Sequence, residues 1–581
     1  MSTQAQITVL ANTLIDADPI DYVIVAIYFG FVLGIGVMAR RHVSNSVDFF
    51  LSGRSLPAWV TGLAFISANL GAVEIMGMSA SGAELGLPTV HYFWVGAIPA
   101  MLFLGVVMMP FYYGSKVRSV PEFMLRRFGP GAHLVNAISF AVAQLLIAGI
   151  NLFLLASILE ALLGLPNFVA LLIAAGIVLS YITLGGLSAA IYNEVLQFFV
   201  IVAALLPLTL LGLNRVGWWD GLTERITAAS PDAAGHTAEQ QLNSWPGQAL
   251  SGFDSSFWSV VGIVFGLGFV LSFGYWTTNF VEVQRALASD SISAARKTPI
   301  IGSFPKMFVP FITILPGMIA AVLVTEMADL KAGGTPSGGT TGTVTYNDAL
   351  ILMMRDLLPN GLLGLAITGL LAAFMAGMAA NISAFNTVFT FDLYQDYLHK
   401  DDTDSHYVWV GRAATIGATI VAIGTSYFAA GFPNIMAYLQ TLFGFFNAPL
   451  FATFILGMFW KRMTAAAGWI GLVAGTVSAV LVAFLSEDAF GSFSTGVIPI
   501  GGQGAAFLAA SVAFIVDIVL SFVVSLVSQP KPEGSLRGLV YSETPAEIRT
   551  DPKESSYPWY RRTVPLACVS LAMVIVLNII F

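Results

Sequence analysis

Apolar runs of about 20 residues, the length a helix needs to cross a ~30 Å hydrocarbon core, recur about fourteen times along this chain. Lipid offers a backbone amide no partner, so a spanning segment must satisfy its own hydrogen bonds, and runs of this length do so as helices. With 57% hydrophobic and 10% charged residues and a mean hydropathy of +0.81, the chain reads as an all-α polytopic membrane protein. The expected spans lie at 20–40, 57–82, 90–112, 132–162, 166–184, 187–214, 256–284, 300–325, 346–396, 407–429, 433–460, 464–485, 503–528 and 563–581. No basic segment precedes the first of them, so it is read as retained rather than cleaved.

Charge placement orients the bundle. With the N-terminus outside, twenty of the 25 lysines and arginines fall in inner loops, among them Arg40, Arg41, Lys116, Arg126, Arg285, Lys400, Lys461 and Lys531. Arg215, Arg225, Lys331 and Arg355 stay outside, and Lys306 lies within a span. Two hydrophilic stretches, Trp219 to Ser255 and Gly333 to Gly342, read as external loops, the second flexible. Residues 530–562 read as a solvated cytosolic linker whose basic residues can touch anionic lipid. The single Cys568 excludes a disulfide framework, and the six histidines show no ligand spacing, so no metal centre is expected. The net charge of −8 says little about partners: a small solute and the bilayer are expected, but neither nucleic acid nor an obligatory protein.

Two spans are interrupted. TGLAFISANLGAVEIMGMSAS, from Thr61 to Ser81, carries Asn69, Gly71 and Glu74 at mid-depth, where a continuous helix gains nothing from them. Unwinding at 69–71 would free carbonyls for a cation and leave a half-helix end facing a solute. Five spans later, Val260 to Gln284 holds Ser272, Gly274, Thr277, Thr278 and Asn279, with Tyr275 and Trp276 expected directly after the break, where their rings can cap a solute. One broken span in each half points to a midplane site in an inverted-repeat transporter. The expected core is 57–460, with repeats 57–214 and 256–460, flanked by peripheral helices in 1–56 and 461–581.

Ionisable groups inside spans are candidates by default. Glu74 lies one turn beyond the first break; Glu194 either guides a cation or is hydrated near the interface; Lys306 is expected to face a cavity or a carboxylate. Asp517 is assigned a structural role, and Gln440 suits hydrogen bonding to a polar solute as well as to the protein.

These stretches carry a resemblance. DFFLSGRSLPAWVTGLAFISANLGAVEIMGMSASG, GGLSAAIYNEVLQ, YWTTNFVEVQRALA with KMFVPFITILPG, AANISAFNTVFTFDLYQDY and LGMFWKR fall in the order found in the sodium/solute symporter family, and look closest to its sodium/galactose branch. The resemblance spans about Asp21 to Arg462 and implies a five-plus-five inverted repeat with broken first and sixth core helices, alternating access and sodium-driven solute uptake. It also implies a solute pocket of Asn69, Glu74, Met78, Tyr92, Phe93, Tyr275, Trp276, Lys306 and Gln440, with Tyr275 as inner gate. Three positions depart from the galactose pattern: Glu74 replaces Gln, Phe93 replaces Glu and Gly96 replaces Ser. Losing an acceptor for a sugar diol costs about 1–3 kcal/mol, which points to another sugar, a more apolar ring or a small organic acid. For the cation, the resemblance implies backbone oxygens of Ser67, Leu70 and Ala373, a carboxylate at Glu194, and two hydroxyls where this chain has Ala376 and Gly377.

The sequence therefore predicts a multi-pass inner-membrane symporter, not an enzyme, coupled first to Na+. Coupling to H+ through Glu194 or Glu74, and facilitation without an ion, stay open. A sensor that kept the fold and lost transport is the rival from another class; an ion channel is disfavoured because no span is a polar stripe.

Overall fold

Spanning helices account for most of the structure, a computed structural model that describes residues 14–40, 50, 52–340, 342–429, 431–432, 434–487 and 494–581. Arg41 and His42 lie outside these residues. Among those described, eleven helices are long and apolar enough to cross a membrane, and a twelfth span is a bent pair. In chain order the helices that matter here are α1 (Pro19–Arg40), the bent pair α2 (Ala58–Asn69) and α3 (Ala72–Leu85), α4 (Leu87–Gly114), α5 (Pro130–Leu163) and α6 (Asn167–Val216). They continue as α7 (Ser256–Thr278), α8 (Phe280–Leu287), α9 (Ile292–Leu323), α10 (Leu362–Leu398), α11 (Asp404–Ala429), α12 (Ile435–Phe459), α13 (Ala465–Leu485), α14 (Gly502–Val527) and α15 (Thr563–Ile580).

Two boundaries differ from expectation. The spans predicted at 166–184 and 187–214 are joined in α6, whose helical backbone runs on through Gly185 and Gly186. The span predicted at 346–396 is divided: Ala349–Leu357 ends before Pro359, and α10 begins after Gly361, whose φ of 86° only glycine adopts cheaply.

Burial separates centre from rim. In its most apolar window α10 is 89% buried and α5 83%, whereas α15 is 22% buried and α13 33%. Rim helices expose Ile420, Phe428, Leu481 and Ile579, the side chains a bilayer would cover. The first helix is pinned to the centre by one carboxylate, since Asp21 Oδ1 accepts the backbone N–H of Gly361 and of Gly364, each at 2.7 Å.

The hydrophilic stretches are more ordered than their composition suggests. Residues 333–342 include strands Ser337–Gly339 and Gly342–Thr343, and Asp348 binds Thr340 and Thr345 beside them. Residues 530–562 are largely exposed, as a solvated linker would be, and are also tied to the bundle as a strap: Glu554 pairs with Arg296 at 3.3 Å, Tyr557 lies under Lys297 at 4.5 Å, and Tyr541 N–H donates to Met458 O at 2.7 Å.

Candidate functional site

The first break falls where the polar residues predicted it. α2 ends at Asn69, Leu70 leaves helical geometry (ψ 45°), Gly71 is extended (ψ 178°), and α3 starts at once, bent by 53°. Among the described residues no backbone amide donates to the carbonyls of Ser67, Asn69 or Leu70, so oxygens of the cation set predicted from sequence are free. The second break is displaced. The chain stays helical through Ser272 and Gly274 and opens at Asn279 (ψ 118°), whose Oδ1 accepts Val281 N–H at 3.0 Å and caps α8. Tyr275 and Trp276 therefore precede the break instead of following it.

Between the breaks lies a cavity of about 90 Å³, lined by all nine residues of the predicted solute set: Asn69, Glu74, Met78, Tyr92, Phe93, Tyr275, Trp276, Lys306 and Gln440. Its electrostatic centre is Lys306, 1% exposed, whose ammonium donates to Glu74 Oε1 and to Asn69 Oδ1. The same ammonium stands 5.0 Å from the Phe93 ring centre and 5.2 Å from that of Trp276. An aromatic ring at position 93 thus adds a cation–π face where the resemblance expects an acceptor. Asn69 Nδ2 donates to the Tyr275 hydroxyl at 2.9 Å, and that hydroxyl donates to Glu282 Oε1 at 2.8 Å. A β-carbon at Gly96 would meet Ser272 Oγ at 2.3 Å, so a serine there would require that hydroxyl to turn aside; Ser272 brings its own hydroxyl to the cavity wall.

The predicted cation set converges only in part. Gly377 reaches the cavity wall and touches the first break: a β-carbon on Gly377 would lie 3.1 Å from Gly71 Cα and 2.8 Å from Asn151 Oδ1. Ala373 and Ala376 are buried on the same helix, α10. Glu194 is not hydrated; it is fully buried and takes Arg285 Nη2 at 2.5 Å and Nε at 3.3 Å. Asp517 accepts from Thr453 and Ser521, each at 2.8 Å, away from the cavity. Two histidine clusters arise that spacing did not suggest, His399 with Asp402 and His406, and His133 with Asp392 and Asp396, both remote from the cavity lining. The tight glycine contact gives a test. Gly377→Val should lose about 1–3 kcal/mol by overpacking, read as a lower Tm of the purified protein, because the atoms it meets include backbone.

Several wall residues were not singled out from sequence. Asn151 and Asn381 stand in apolar helices, and Met436, Leu439 and Phe443 from α12 look like ordinary core. Glu282 satisfies the rule applied to Glu74, an acid in an apolar run, and was legible on that ground.

Two broken helices enclosing a buried polar cavity at the centre of a spanning bundle define a secondary membrane transporter, not an enzyme. The sodium:solute symporter family model matches residues 49–475, and the chain belongs to that family, with Na+ as the coupling ion. It is 29% identical to the sodium/glucose cotransporter of Vibrio parahaemolyticus, over 80% of this chain and 85% of that protein. It is 28% identical to sodium/glucose cotransporter 1 of Oryctolagus cuniculus, over 90% of this chain and 81% of that protein. Among solved structures, a Na+-coupled sialic acid symporter in a substrate-bound outward-open state superposes with a TM-score of 0.72 at 18% identity, covering 89% of this chain and 99% of that one. The likeness shows a shared fold.

Proposed function

We propose that the protein imports a neutral, sugar-like solute together with Na+, binding it in the cavity around Lys306. What supports this reading is the convergence of nine residues, drawn from five separate stretches of sequence, on one cavity between two helix breaks. The hydroxyl, amide and carboxamide groups of Tyr92, Tyr275, Asn69 and Gln440 suit a polyol, and Phe93 and Trp276 offer apolar faces for a ring. Lys306 already has Glu74 as counterion, so an organic acid would have to displace a buried carboxylate. That favours the sugar over the acid.

The cation sits, in this proposal, between the free carbonyls of the first break and α10 at 373–377, with Glu194 acting on it through the surrounding field rather than as a ligand. Cation binding stabilises the arrangement that takes up solute, and the coupling is reciprocal. Residues 57–214 and 256–460 act as the two repeats, α1 and α13 to α15 are peripheral, and the N-terminus lies outside the cell membrane.

Thermal stability of the purified protein across sugars, polyols and monocarboxylates, with Na+ or a bulky organic cation, tests the proposal. Ligands of the folded state raise Tm by mass action, about 2.7 kcal/mol at a hundredfold excess over Kd. The expected result is a sugar or polyol that stabilises only with Na+ and loses its effect in Asn69→Ala. Stabilisation by a monocarboxylate alone would replace the sugar with an acid. A solute that binds but shows no counterflow in proteoliposomes would make the protein a sensor.

A further inference from the structure

Five charged side chains are buried together beside the cavity: Lys306 and Arg285, and the carboxylates Glu74, Glu194 and Glu282. Two of the acids are matched. Lys306 donates to Glu74, and Arg285 grips Glu194 through two nitrogens at 2.5 and 3.3 Å. Glu282 is the odd one. It is fully buried, its Oε1 accepts the Tyr275 hydroxyl at 2.8 Å, and its Oε2 has no hydrogen-bond partner among the described residues.

Among the described residues, the elements packed against α8 bring no further counter-charge. Toward Glu282 face Tyr275 from α7, Lys306 from α9, Glu194 from α6 and Arg285 from its own helix. α2 and residues 362–387 of α10 contain no titratable side chain. On α4, Tyr112 and Tyr113 donate to the carbonyls of Thr277 and Ser289. Arg296 and Lys297, at the start of α9, are turned to the strap. With every group ionised the cluster holds one negative charge too many, and an uncompensated charge is what a low-dielectric interior tolerates least. A proton on Glu282 makes the five groups neutral.

We infer that Glu282 is a proton-binding site that is protonated while the coupling-cation site is empty and gives up its proton as the cation binds. The exchange balances: the protonated carboxyl and a free Na+ become a carboxylate, a bound Na+ and a released H+, and the cluster stays neutral throughout. The route for the coupling is the bonded chain Glu282–Tyr275–Asn69, which ends at the first break, one residue from Leu70. This inference rests on the cation placement proposed above. By reciprocity, protons and Na+ then oppose each other's binding.

The experiment is a Na+ titration of the purified full-length protein, followed by Tm at several pH values, with an indicator dye recording protons in weak buffer. In the native protein the apparent Na+ affinity should rise with pH, approaching about tenfold per pH unit for a one-for-one exchange, and Na+ should release about one proton per chain. Glu282→Gln, which keeps shape and charge neutrality, should still bind Na+ but with no pH dependence and no release. Tyr275→Phe removes the donor that favours the carboxylate, so release should persist with its pH range moved upward. A pH-independent affinity in the native protein, or unchanged release in Glu282→Gln, overturns the inference and leaves the cation placement standing. Absence of Na+ binding in both proteins overturns the placement and the inference together.

Discussion

Lys306→Ala should lower the stability of the folded protein by about 3–5 kcal/mol and abolish its response to solute. The deletion leaves Glu74 buried without its cation, and it also removes a donor from Asn69, whose side chain reaches the Tyr275 hydroxyl. Most of the loss therefore comes from the stranded carboxylate rather than from the value of the pair. A second variant separates the two. In Lys306→Met combined with Glu74→Met both charges are gone and volume is kept, so Tm should return close to that of the native protein, as happens when buried pairs are replaced by apolar groups. The solute response should stay absent, because the polar centre of the cavity is missing. Native-like Tm in Lys306→Ala would mean that the pair is open to water; a preserved solute response in the double variant would place the solute elsewhere.

Arg285→Ala is expected to be at least as damaging. Its guanidinium and Glu194 are both fully buried, and besides the two bonds to Glu194 it donates to Val281 O at 2.9 Å and to Gln284 Oε1 at 3.2 Å. Truncation strands one carboxylate and the Gln284 amide oxygen, again about 3–5 kcal/mol or more. Arg285→Lys should recover only part of this, since a point charge cannot reproduce a forked donor. Denaturation of the three proteins in one detergent ranks them native, then Lys, then Ala. Equal stability for Lys and native would remove the forked geometry from the account.

These two ion pairs also mark what sequence could convey. Spans were legible because bilayer thickness fixes the length of an apolar helix, and the first break was legible because Asn69 and Gly71 have no use in an unbroken one. The second break was placed too early: glycine and serine at 272–274 are tolerated inside spanning helices, whereas Asn279 ends the helix by capping the next one. That Lys306 needs a counter-charge follows from its depth, yet its choice of Glu74 depends on how helices far apart in sequence cross. The contacts of the strap were hidden for a related reason. Its composition is that of a solvated segment, and only the fold shows Arg296 and Lys297 waiting for it. Asn151 was hidden by the apolar residues around it, and its importance comes from the bare Gly377 it faces.

Arg296, Lys297 and Lys306 share the first segment of α9, Ile292–Lys306. That segment carries Lys306 on the cavity wall at one end and, toward the other, the side chains that hold the strap through Glu554 and Tyr557. A substitution at Glu554 is therefore expected to act on Lys306 along one helical segment, without an atom entering the cavity.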